Sequence, residues 1–345
     1  MADPAARARS VPAGAVRVRS WCRVDLAGGT LDIWPLGLLH PGARTVNVAV
    51  DLPVDVEVRR RAAGYRVIQG GRGVDAPDLD GLAAHPETAL VAAAGRLLDL
   101  PPAEIRLASA SPRGGGLGAS SALMVALLVA GESIVDRSPS PPARLAALGR
   151  DLEARMMALP TGNQDHYPGL LGGVLEILHR PGGERVERLP VDLESLGRSL
   201  LVAYTGRSHF SAGQNWQVVR RRLDGEPEAV ELFEGIAAAA RGAADALRRG
   251  DLEGAAQEVA REWSHRRRLA EGVSTPEIED LLERARRAGA WGGKACGAGG
   301  GGSIVVLCPP DRQPAVRRAL STGGAEILDT RPTAATVEVR RTGSR

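Results

Sequence analysis

A glycine-rich loop closed by two serines is the part of this 345-residue sequence best suited to hold a phosphate group. The loop follows Pro112 and reads Arg-Gly-Gly-Gly-Leu-Gly-Ala-Ser-Ser over residues 113–121. Glycine lets the backbone approach a phosphoryl group closely, and the first N–H groups of a helix, at the positive end of its dipole, point at a bound anion. The hydroxyls of Ser120 and Ser121 could also ligate a cation.

The residues on either side of the loop predict the elements that would position it. Residues 104–111 alternate apolar and polar side chains, as a half-buried strand does, and Pro112 ends the run. Residues 122–135 are almost wholly apolar, which is typical of a buried helix. A strand, a glycine loop and a helix in this order predict a phosphate-binding arrangement.

Other glycine motifs fit the loop less well. No Gly-Lys-Ser/Thr closes it, which excludes a Walker A loop. Gly114, Gly116 and Ala119 fit the looser dinucleotide fingerprint. Asp136 lies near the position of the ribose-binding acid, but that acid should end a second strand, whereas residues 133–142 run from a helix into a proline-rich loop. A dinucleotide site is therefore disfavoured, and a structural glycine turn remains an alternative on the loop alone.

Two further groups of charged side chains could contribute to a site. Residues 16–26 read as a strand, and Arg23 and Asp32 flank the turn that follows, so both could project into one cleft. A surface hairpin with a solvated ion pair, worth about 0 to 1 kcal/mol, is the alternative. Glu153 borders the apolar stripe of a predicted helix, and a polar loop at residues 163–167 follows. Glu153 could equally be a solvated residue. The stripe consists of Leu145, Leu148, Leu152, Met156 and Leu159.

The composition limits the class of protein. The length allows two domains, and with a formal charge of +3 and no basic cluster with interleaved aromatics, no nucleic-acid partner is expected. The three cysteines are widely spaced, which suits a reducing compartment. The longest apolar run, residues 122–130, is far shorter than the ~20 residues that span a bilayer. We therefore expect a soluble, cytoplasmic protein with no membrane partner and a disordered tail over residues 1–15.

Three motifs resemble those of the GHMP kinases, the family of galactokinase, homoserine, mevalonate and phosphomevalonate kinases. Residues 23–32 resemble the first motif of the sugar-kinase members, and residues 112–122 resemble the second motif, Pro-x-x-x-Gly-Leu-Gly-Ser-Ser-Ala. Residues 294–302 resemble the third, Lys-x-x-Gly-Ala-Gly-Gly-Gly-Gly. Ala119 before the serine pair is closer to the fucokinase and heptose-phosphate kinase branch.

The resemblance implies a role for individual residues. Asp165, twelve residues after Glu153, would be the catalytic carboxylate, with Arg23 beside it, and Glu153 would bind Mg²⁺ together with Ser121. Trp216, seven residues after His209, matches a sugar-contacting tyrosine of galactokinases. The residues expected to bind ATP are Pro112, Gly114, Gly115, Gly116, Leu117, Gly118, Ala119, Ser120 and Ser121, and those expected to bind the substrate are Gly28, Gly29, Asp32, Gln164, Trp216, Gly299 and Gly300.

Three other charged positions have open interpretations. The arginine run at residues 266–268 is expected to be solvated, although a phosphate on the substrate could use it. Lys294, the only lysine, either provides a compact cation near phosphate or lies in the third motif by chance. His166 is either an exposed loop side chain or a sugar contact.

The resemblance also implies a fold and a function. The expected fold is α/β (α+β), with an N-terminal domain over residues 16–195 like the second domain of ribosomal protein S5 and a ferredoxin-like C-terminal domain over residues 196–345. The expected activity is ATP- and Mg²⁺-dependent phosphorylation of a sugar hydroxyl, anomeric in a hexose, deoxyhexose or heptose phosphate. Gly29 and Thr30 replace the Glu and His of galactokinases, which argues against galactose itself. The alternatives are a kinase for a non-sugar alcohol and a non-catalytic sugar and ATP sensor, and the protein is expected to be a monomer or a homodimer.

Overall fold

Two β-sheets form the framework of the computed structural model, which describes residues 14–208 and 212–341. The strands are β1 (Ala15–Ala27), β2 (Arg44–Arg60), β3 (Tyr65–Gln69), β4 (Arg72–Ala76), β5 (Ala103–Ser109), β6 (Val174–Leu178), β7 (Arg185–Arg188), β8 (Leu200–Tyr204), β9 (Gly292–Ala295), β10 (Ser303–Leu307), β11 (Glu326–Leu328) and β12 (Glu338–Arg341).

Helices cover the sheets and connect most of the strands. The α-helices are α1 (Leu79–Ala83), α2 (Ala89–Leu98), α3 (Ala119–Ile134), α4 (Pro142–Met157), α5 (His166–Leu171), α6 (Leu193–Ser199), α7 (Ala212–Leu223), α8 (Pro227–Arg248), α9 (Leu252–Arg266), α10 (Pro276–Arg287) and α11 (Gln313–Thr322), and short 3-10 helices cover Leu36–Leu39 and Pro86–Thr88. Within the described residues, no helix combines the length and apolar character needed to cross a membrane.

Within the part of the chain that the structure describes, the first sheet contains eight strands and the second contains four. The order of the first is β12-β1-β2-β5-β3-β4, and β6 pairs with β2 and β7. Strand β2 is 17 residues long, so it pairs with β1 on one side and with both β5 and β6 on the other. All pairings in this sheet are antiparallel except that of β3 with β5. The second sheet is antiparallel in the order β11-β8-β10-β9.

Strand β1 changes register twice along its pairing with β2. The shifts fall between Trp21 and Arg23 and between Asp25 and Ala27. Such irregularities bend a strand and re-aim its side chains. Between the two shifts, Arg23 and Asp25 are two residues apart and therefore point from the same face of the strand.

The apolar core is continuous between the two sheets. One buried cluster contains Val24 of β1, Val202 of β8 and Ala256 of α9. A second cluster packs α2 and α3 on the first sheet, and a third packs α10 and α11 on the second. The helix after the glycine loop is buried along nearly its whole length, which explains its lack of an apolar and a polar face.

The element bounds differ from the predicted bounds at two places near the glycine loop. Helix α3 begins at Ala119, three residues before the predicted start, because Gly118 adopts a left-handed conformation from which the helix departs. The composition of residues 86–100 predicts one helix that ends before Pro101, but the structure divides this stretch into a 3-10 turn and α2. Asp99, with a φ of 53°, ends α2.

The two ends of the described chain meet in the first sheet. Strand β12 pairs with residues 16–19 of β1, so the last strand of the chain belongs to the sheet that the first strand begins. The division of the chain at residue 195 stays a prediction. Of the predicted tail, residues 1–13 lie outside the described residues, and Ala15 is the first residue of β1.

Candidate active site

Arg23 and Asp165 form a bidentate ion pair. Arg23 Nε donates to Asp165 Oδ1 at 2.8 Å, and Nη2 donates to Oδ2 at 2.6 Å. The Arg23 side chain is 3% exposed and that of Asp165 is 28% exposed, so the carboxylate faces solvent and the guanidinium lies behind it. Burial alone would lower the pKa of Arg23, but the charges of Asp165 and Asp25 raise it, so Arg23 remains a cation. The two parallel hydrogen bonds fix the orientation of the Asp165 carboxylate.

Arg23 also connects strand β1 to the glycine loop. Its Nη1 donates to the Gly116 carbonyl at 2.6 Å, and its backbone N–H donates to the Leu117 carbonyl at 2.9 Å. Gly116 has a φ of 70°, and a Cβ there would lie 2.7 Å from the Cys296 carbonyl oxygen. Glycine is therefore needed at this position for both its conformation and its space.

The two glycine loops pack against each other. Ser303, at the end of the second loop, donates its N–H to the Gly115 carbonyl at 2.9 Å. A Cβ on Gly297 would lie 2.9 Å from the Gly116 carbonyl oxygen, and one on Gly302 would lie 3.0 Å from that of Gly114. The second loop thus supports the first by direct backbone contact.

Helix α3 presents its N-terminus to the same region. Its N-cap is Gly118, and no side chain of the described residues caps its first turn. The N–H groups at the start of such a helix and the positive end of its dipole favour an anion. Ser120 and Ser121 belong to this turn and line the adjacent cleft.

Ser121 contacts Glu153, which projects from α4. The Ser121 Oγ lies 3.0 Å from each of the two carboxylate oxygens of Glu153. His166 Nε2 lies 3.3 Å from Glu153 Oε2. Burial by itself would lower the pKa of His166, but the charge of Glu153 and its hydrogen bond raise it above the ordinary value. His166 is completely buried and does not line the cleft, so both interpretations from the sequence were wrong.

Asp32 lies beside the Asp165 loop. Its Oδ2 accepts the backbone N–H of Gln164 at 3.1 Å. A Cβ on Gly162 would lie 1.6 Å from the same oxygen, so this glycine is required for the loop to approach the carboxylate. Burial and, next, the charge of Asp165 raise the pKa of Asp32 to about 6, although the hydrogen bond from Gln164 opposes the shift.

These side chains line one cleft of about 300 Å³. Its apolar lining includes Leu90 and the two methionines at the end of α4, Met156 and Met157. Residues from the first, second and third motifs therefore meet, although they are far apart in sequence. The predicted site residues in its lining are Arg23, Asp32, Ser120, Ser121, Glu153, Gln164 and Asp165.

Several predicted substrate-binding residues lie beneath or beside the cleft. A Cβ on Gly28 would lie 2.0 Å from the Arg44 carbonyl oxygen, and one on Gly29 would lie 2.1 Å from Arg266 Nη1. Gly300 donates its N–H to the Val273 carbonyl at 2.7 Å. A Cβ on the neighbouring Gly299 would lie 2.1 Å from the same oxygen. None of these four glycines is in the lining of the cleft, and their substrate-binding role stays a prediction.

Trp216 also lies outside the lining of the cleft. It is 48% exposed on α7, and His209, from which its position was counted, lies outside the described residues.

Of the predicted ATP-binding residues, Leu117 is buried at 1% exposure and contributes to the apolar core. The remaining residues from Pro112 to Gly118 form the loop that leads into α3, and Ala119 is the first residue of that helix.

A buried group of four charged side chains was missed from the sequence. Lys294 Nζ lies 3.1 Å from Asp25 Oδ2 and 3.0 Å from Glu262 Oε2. Arg266 Nη1 lies 3.2 Å from Asp25 Oδ2 and 3.3 Å from Glu262 Oε1. Arg266 is 4% exposed, so its predicted solvation was wrong, and Lys294 is fully buried in ion pairs. The i, i+4 spacing of Glu262 and Arg266 was the available signal.

The donor set of the cleft fits a hydrated Mg²⁺ that is shared with phosphate. The described residues contain no group of three or more His, Cys, Asp or Glu side chains able to hold a metal. Ser121 and Glu153 nevertheless place hard oxygen ligands together at the start of α3. Magnesium commonly takes one or two protein oxygens and completes its shell with phosphate and water.

Two family models match the chain on either side of this cleft. The GHMP kinases N terminal domain matches residues 86–173, which contain the glycine loop and Asp165. The GHMP kinases C terminal model matches residues 243–326, which contain Arg266 and Lys294. The chain belongs to the GHMP kinase family. The predicted mixed α/β fold in two domains of this family is thereby confirmed.

The individual proteins that this chain resembles include heptose-phosphate kinases and mevalonate kinases. The chain is 24% identical over 332 residues to a D-glycero-alpha-D-manno-heptose 7-phosphate kinase of Campylobacter jejuni, covering 91% of this chain and 95% of that protein. It is 31% identical over 240 residues to a mevalonate kinase of Pyrococcus abyssi, covering 66% of this chain and just under two thirds, 65%, of that protein. A D-glycero-D-manno-heptose 1-phosphate kinase structure from Bacteroides thetaiotaomicron has a TM-score of 0.76 at 21% identity, covering 95% of this chain and 100% of that one. These relatives of the chain are named as kinases. This places the chain among phosphotransferases with an alcohol acceptor.

Proposed function

We propose that this GHMP kinase transfers the γ-phosphate of ATP to a hydroxyl of a sugar, the anomeric hydroxyl of a hexose, deoxyhexose or heptose phosphate. The observation that carries the proposal is the convergence of the Arg23–Asp165 pair, Asp32 and the Ser121–Glu153 pair on one cleft. Phosphoryl transfer needs a charge-neutralising phosphate site, an aligned acceptor and a group that receives or orients the acceptor proton.

The phosphate end of ATP is assigned to the glycine loop and the first turn of α3. Backbone N–H groups there would donate to the phosphate oxygens. Ser121 and Glu153 would hold Mg²⁺, which supplies charge neutralisation on the phosphates when bound. Asp32, Glu153 and Asp165 all line the cleft, and Arg266 is already paired with Asp25 and Glu262. Arg23 balances Asp165, which leaves Asp32 and Glu153 without an ion pair to an arginine among the lining residues. This acidic excess favours a ligand that arrives with a cation.

The sugar is assigned to the space between Asp165 and Asp32. Asp165 would accept the proton of the attacking hydroxyl or orient that hydroxyl, for which a separation of about 3 Å is required. Arg23 holds the carboxylate by two hydrogen bonds, so the group is oriented before the substrate arrives. Asp32 would accept hydrogen bonds from other hydroxyls of the same sugar, which requires its ionised form.

The relatives that match this chain over nearly its full length support a sugar as the acceptor more than another alcohol. A match that covers 91% of this chain is with a protein named as a heptose 7-phosphate kinase. The mevalonate kinase match is higher in identity but shorter, and this keeps a non-sugar alcohol as the second candidate. Incubation with ATP, Mg²⁺ and a panel of sugars, sugar phosphates, mevalonate and homoserine tests the two. Turnover of mevalonate or homoserine but of no sugar would overturn the proposal.

A non-catalytic sensor is the remaining candidate, and turnover separates it from a kinase. The presence of Asp165, held by Arg23, together with Glu153 argues against a protein that only binds its ligands. Wild-type protein that binds a sugar and ATP in calorimetry but forms no ADP beyond the background rate would establish the sensor.

Replacing Glu153 with Gln is expected to raise the Mg²⁺ concentration needed for half-maximal activity by about tenfold or more, because a neutral amide is a weaker magnesium ligand than a carboxylate. Calorimetry of ADP binding with and without Mg²⁺ gives a readout independent of turnover. The Mg²⁺-dependent gain in ADP affinity should shrink in the variant. Glu194, whose side chain is 85% exposed, provides the matched control Glu194→Gln. An unchanged Mg²⁺ requirement in Glu153→Gln would refute its assignment as a ligand.

The pH profile of kcat/KM for the sugar is expected to fall on its acidic side with a midpoint near 6. Above the pKa of about 6, Asp32 is a carboxylate that accepts from sugar hydroxyls, and below this pH it is protonated and loses that capacity. In Asp32→Asn the acidic limb should disappear while kcat/KM at pH 8 falls by about tenfold or more, the value of a hydrogen bond to a charged group. Initial rates at varied sugar concentration and saturating ATP, from pH 5 to 8.5, give kcat/KM for both proteins. An acidic limb that persists in Asp32→Asn would assign the limb to another group.

A further inference from the structure

A second cavity of about 210 Å³ shares a wall with the main cleft. It lies between the 3-10 helix at Leu36–Leu39 and the loop that follows β6. We call it the side basin and define it by Asp32, Trp34, Leu38, His179, Arg180 and Glu184. Asp32 lines both the side basin and the main cleft. The two cavities therefore adjoin at this carboxylate, and a ligand that contacts Asp32 from the main cleft lies next to the side basin.

Trp34 provides an open aromatic surface at the side basin. It is 71% exposed, more than any other large hydrophobic side chain among the described residues, and Leu38 beside it is 42% exposed. Tryptophan is normally well buried, so exposure of this degree at the wall of a cavity marks a candidate ligand contact. The face of an indole packs well against the C–H surface of a sugar and retains an N–H donor at its edge.

Two lining residues of the side basin have side-chain nitrogen atoms without partners among the described residues. The Nε2 atom of His179 is buried and has no hydrogen-bond partner among the described residues. Burial lowers the pKa of His179 to about 4, so the imidazole is neutral and can donate or accept one hydrogen bond per nitrogen. The Arg180 side chain has no ion pair or side-chain hydrogen bond among the described residues, and Arg180 is exposed. A buried unpaired nitrogen costs free energy unless a ligand or water satisfies it.

The charges around the side basin balance. Asp32 and Glu184 oppose Arg150 and Arg180, and His179 is neutral. Glu184 is partly engaged already, since it accepts from the Tyr167 hydroxyl at 3.3 Å. A surface with equal numbers of acidic and basic groups around an aromatic face suits hydroxyl groups, which both donate and accept, better than it suits an anion.

We propose that the side basin is a subsite for the hydroxyl-bearing end of the sugar that lies farthest from the reacting hydroxyl. The inference rests on the proposed sugar-kinase function and extends it to substrate length. Within the proposed acceptors, it selects a sugar whose far end carries hydroxyl groups rather than a phosphate. A substrate with its reacting hydroxyl at Asp165 and a further hydroxyl at Asp32 places its remaining carbons against Trp34, with His179 and Arg180 in reach of the terminal hydroxyls. The chain therefore prefers sugars that extend beyond the atoms held by the two aspartates.

The test compares sugars of increasing length in wild type and Trp34→Ala. A pentose, a hexose and a heptose of matching ring configuration are assayed with ATP and Mg²⁺. In wild type, kcat/KM should rise with length. In Trp34→Ala it should fall by about five- to tenfold for the longest sugar, the fold-change expected for loss of one aromatic contact, and stay unchanged for the shortest. A loss of equal size for all lengths, or no loss, would overturn the subsite.

A second variant and two controls separate a local effect from misfolding. Arg180→Ala changes an exposed side chain, and it should reduce kcat/KM for the longest sugar only. Leu223→Ala removes another exposed apolar side chain and Arg318→Ala another exposed arginine, and both lie outside the cleft and the side basin. Neither control should change the dependence on length. A heptose carrying a terminal phosphate that gains affinity through Arg180 would contradict the neutral, hydroxyl-binding character proposed here.

Failure of the kinase proposal and failure of the subsite give different results. If wild type phosphorylates no sugar, the proposed function fails, and the same sugars are titrated calorimetrically in the presence of ADP. Binding that weakens in Trp34→Ala only for the longer sugars would still support the subsite. The subsite proposal would be overturned if no sugar binds, or if the affinity for the longer sugars is the same in wild type and in Trp34→Ala.

Discussion

Asp165→Asn is expected to lower kcat by about a thousandfold, within the range of 10² to 10⁴ that a positioned proton acceptor contributes. The amide is close in shape to the carboxylate but cannot accept the proton of the attacking hydroxyl. It also pairs less well with Arg23, whose Nε and Nη2 each donate to a different oxygen of Asp165. The affinity for ATP should remain within a few-fold of wild type, because the glycine loop and the first turn of α3 are unchanged. Steady-state kinetics and nucleotide titration measure the two effects separately.

The controls for this prediction address folding of the buried arginine. Arg23 is 2% exposed and retains its hydrogen bond to the Gly116 carbonyl in the variant, so the melting temperature and the far-UV spectrum should show a folded protein. Asp151→Asn removes a carboxylate that is 65% exposed and should leave kcat unchanged. A folded Asp165→Asn protein that retains more than about a tenth of the wild-type kcat would rule out Asp165 as the proton acceptor.

Lys294→Met is expected to lower the free energy of unfolding by about 3–5 kcal/mol, the usual cost of removing one member of a buried ion pair. Lys294 is fully buried, and its ammonium lies 3.1 Å from Asp25 and 3.0 Å from Glu262. Without it, two buried carboxylates share the single guanidinium of Arg266. Urea denaturation followed by circular dichroism measures the loss.

A double variant provides the matched test of this explanation. Removing one negative charge as well, in Lys294→Met with Glu262→Gln, restores electrical balance and should recover part of the lost free energy. Arg284→Met breaks an exposed i, i+4 pair with Asp280 and should cost no more than about 1 kcal/mol. If the double variant is as unstable as the sum of the two single variants, the charges are not coupled as the distances indicate.

The parts of the site that follow local patterns could be predicted from the sequence. The glycine loop and the helix after it are encoded by residues adjacent in the chain, so their arrangement was predicted correctly apart from the helix start at Ala119. Arg23, Glu153 and Asp165 were placed by spacing and family motifs, and the structure brings all three to one cleft. Their catalytic and metal-binding roles stay predictions.

The parts that depend on packing between distant elements could not be predicted. Arg266 was expected to be solvated because it stands in a run of three arginines, yet the last turn of α9 directs it toward Asp25 of β1, 241 residues away. His166 was ambiguous for the same reason, since its burial depends on the close approach of Gly149 on α4. Trp34 could not be predicted from a periodic pattern because it lies in a loop. Its exposure at the side basin is visible only in the structure.

The pairing of Asp25 with Lys294 and Arg266 makes the amino-terminal half of the chain depend on the carboxy-terminal half. A polypeptide that stops near residue 195 would retain Arg23, Glu153 and Asp165, but Asp25 would lose both of its cationic partners. Strand β1 would also lose its pairing with β12. Such a fragment would hold an uncompensated carboxylate two residues from Arg23, so we expect that the amino-terminal half alone would not retain the proposed active site.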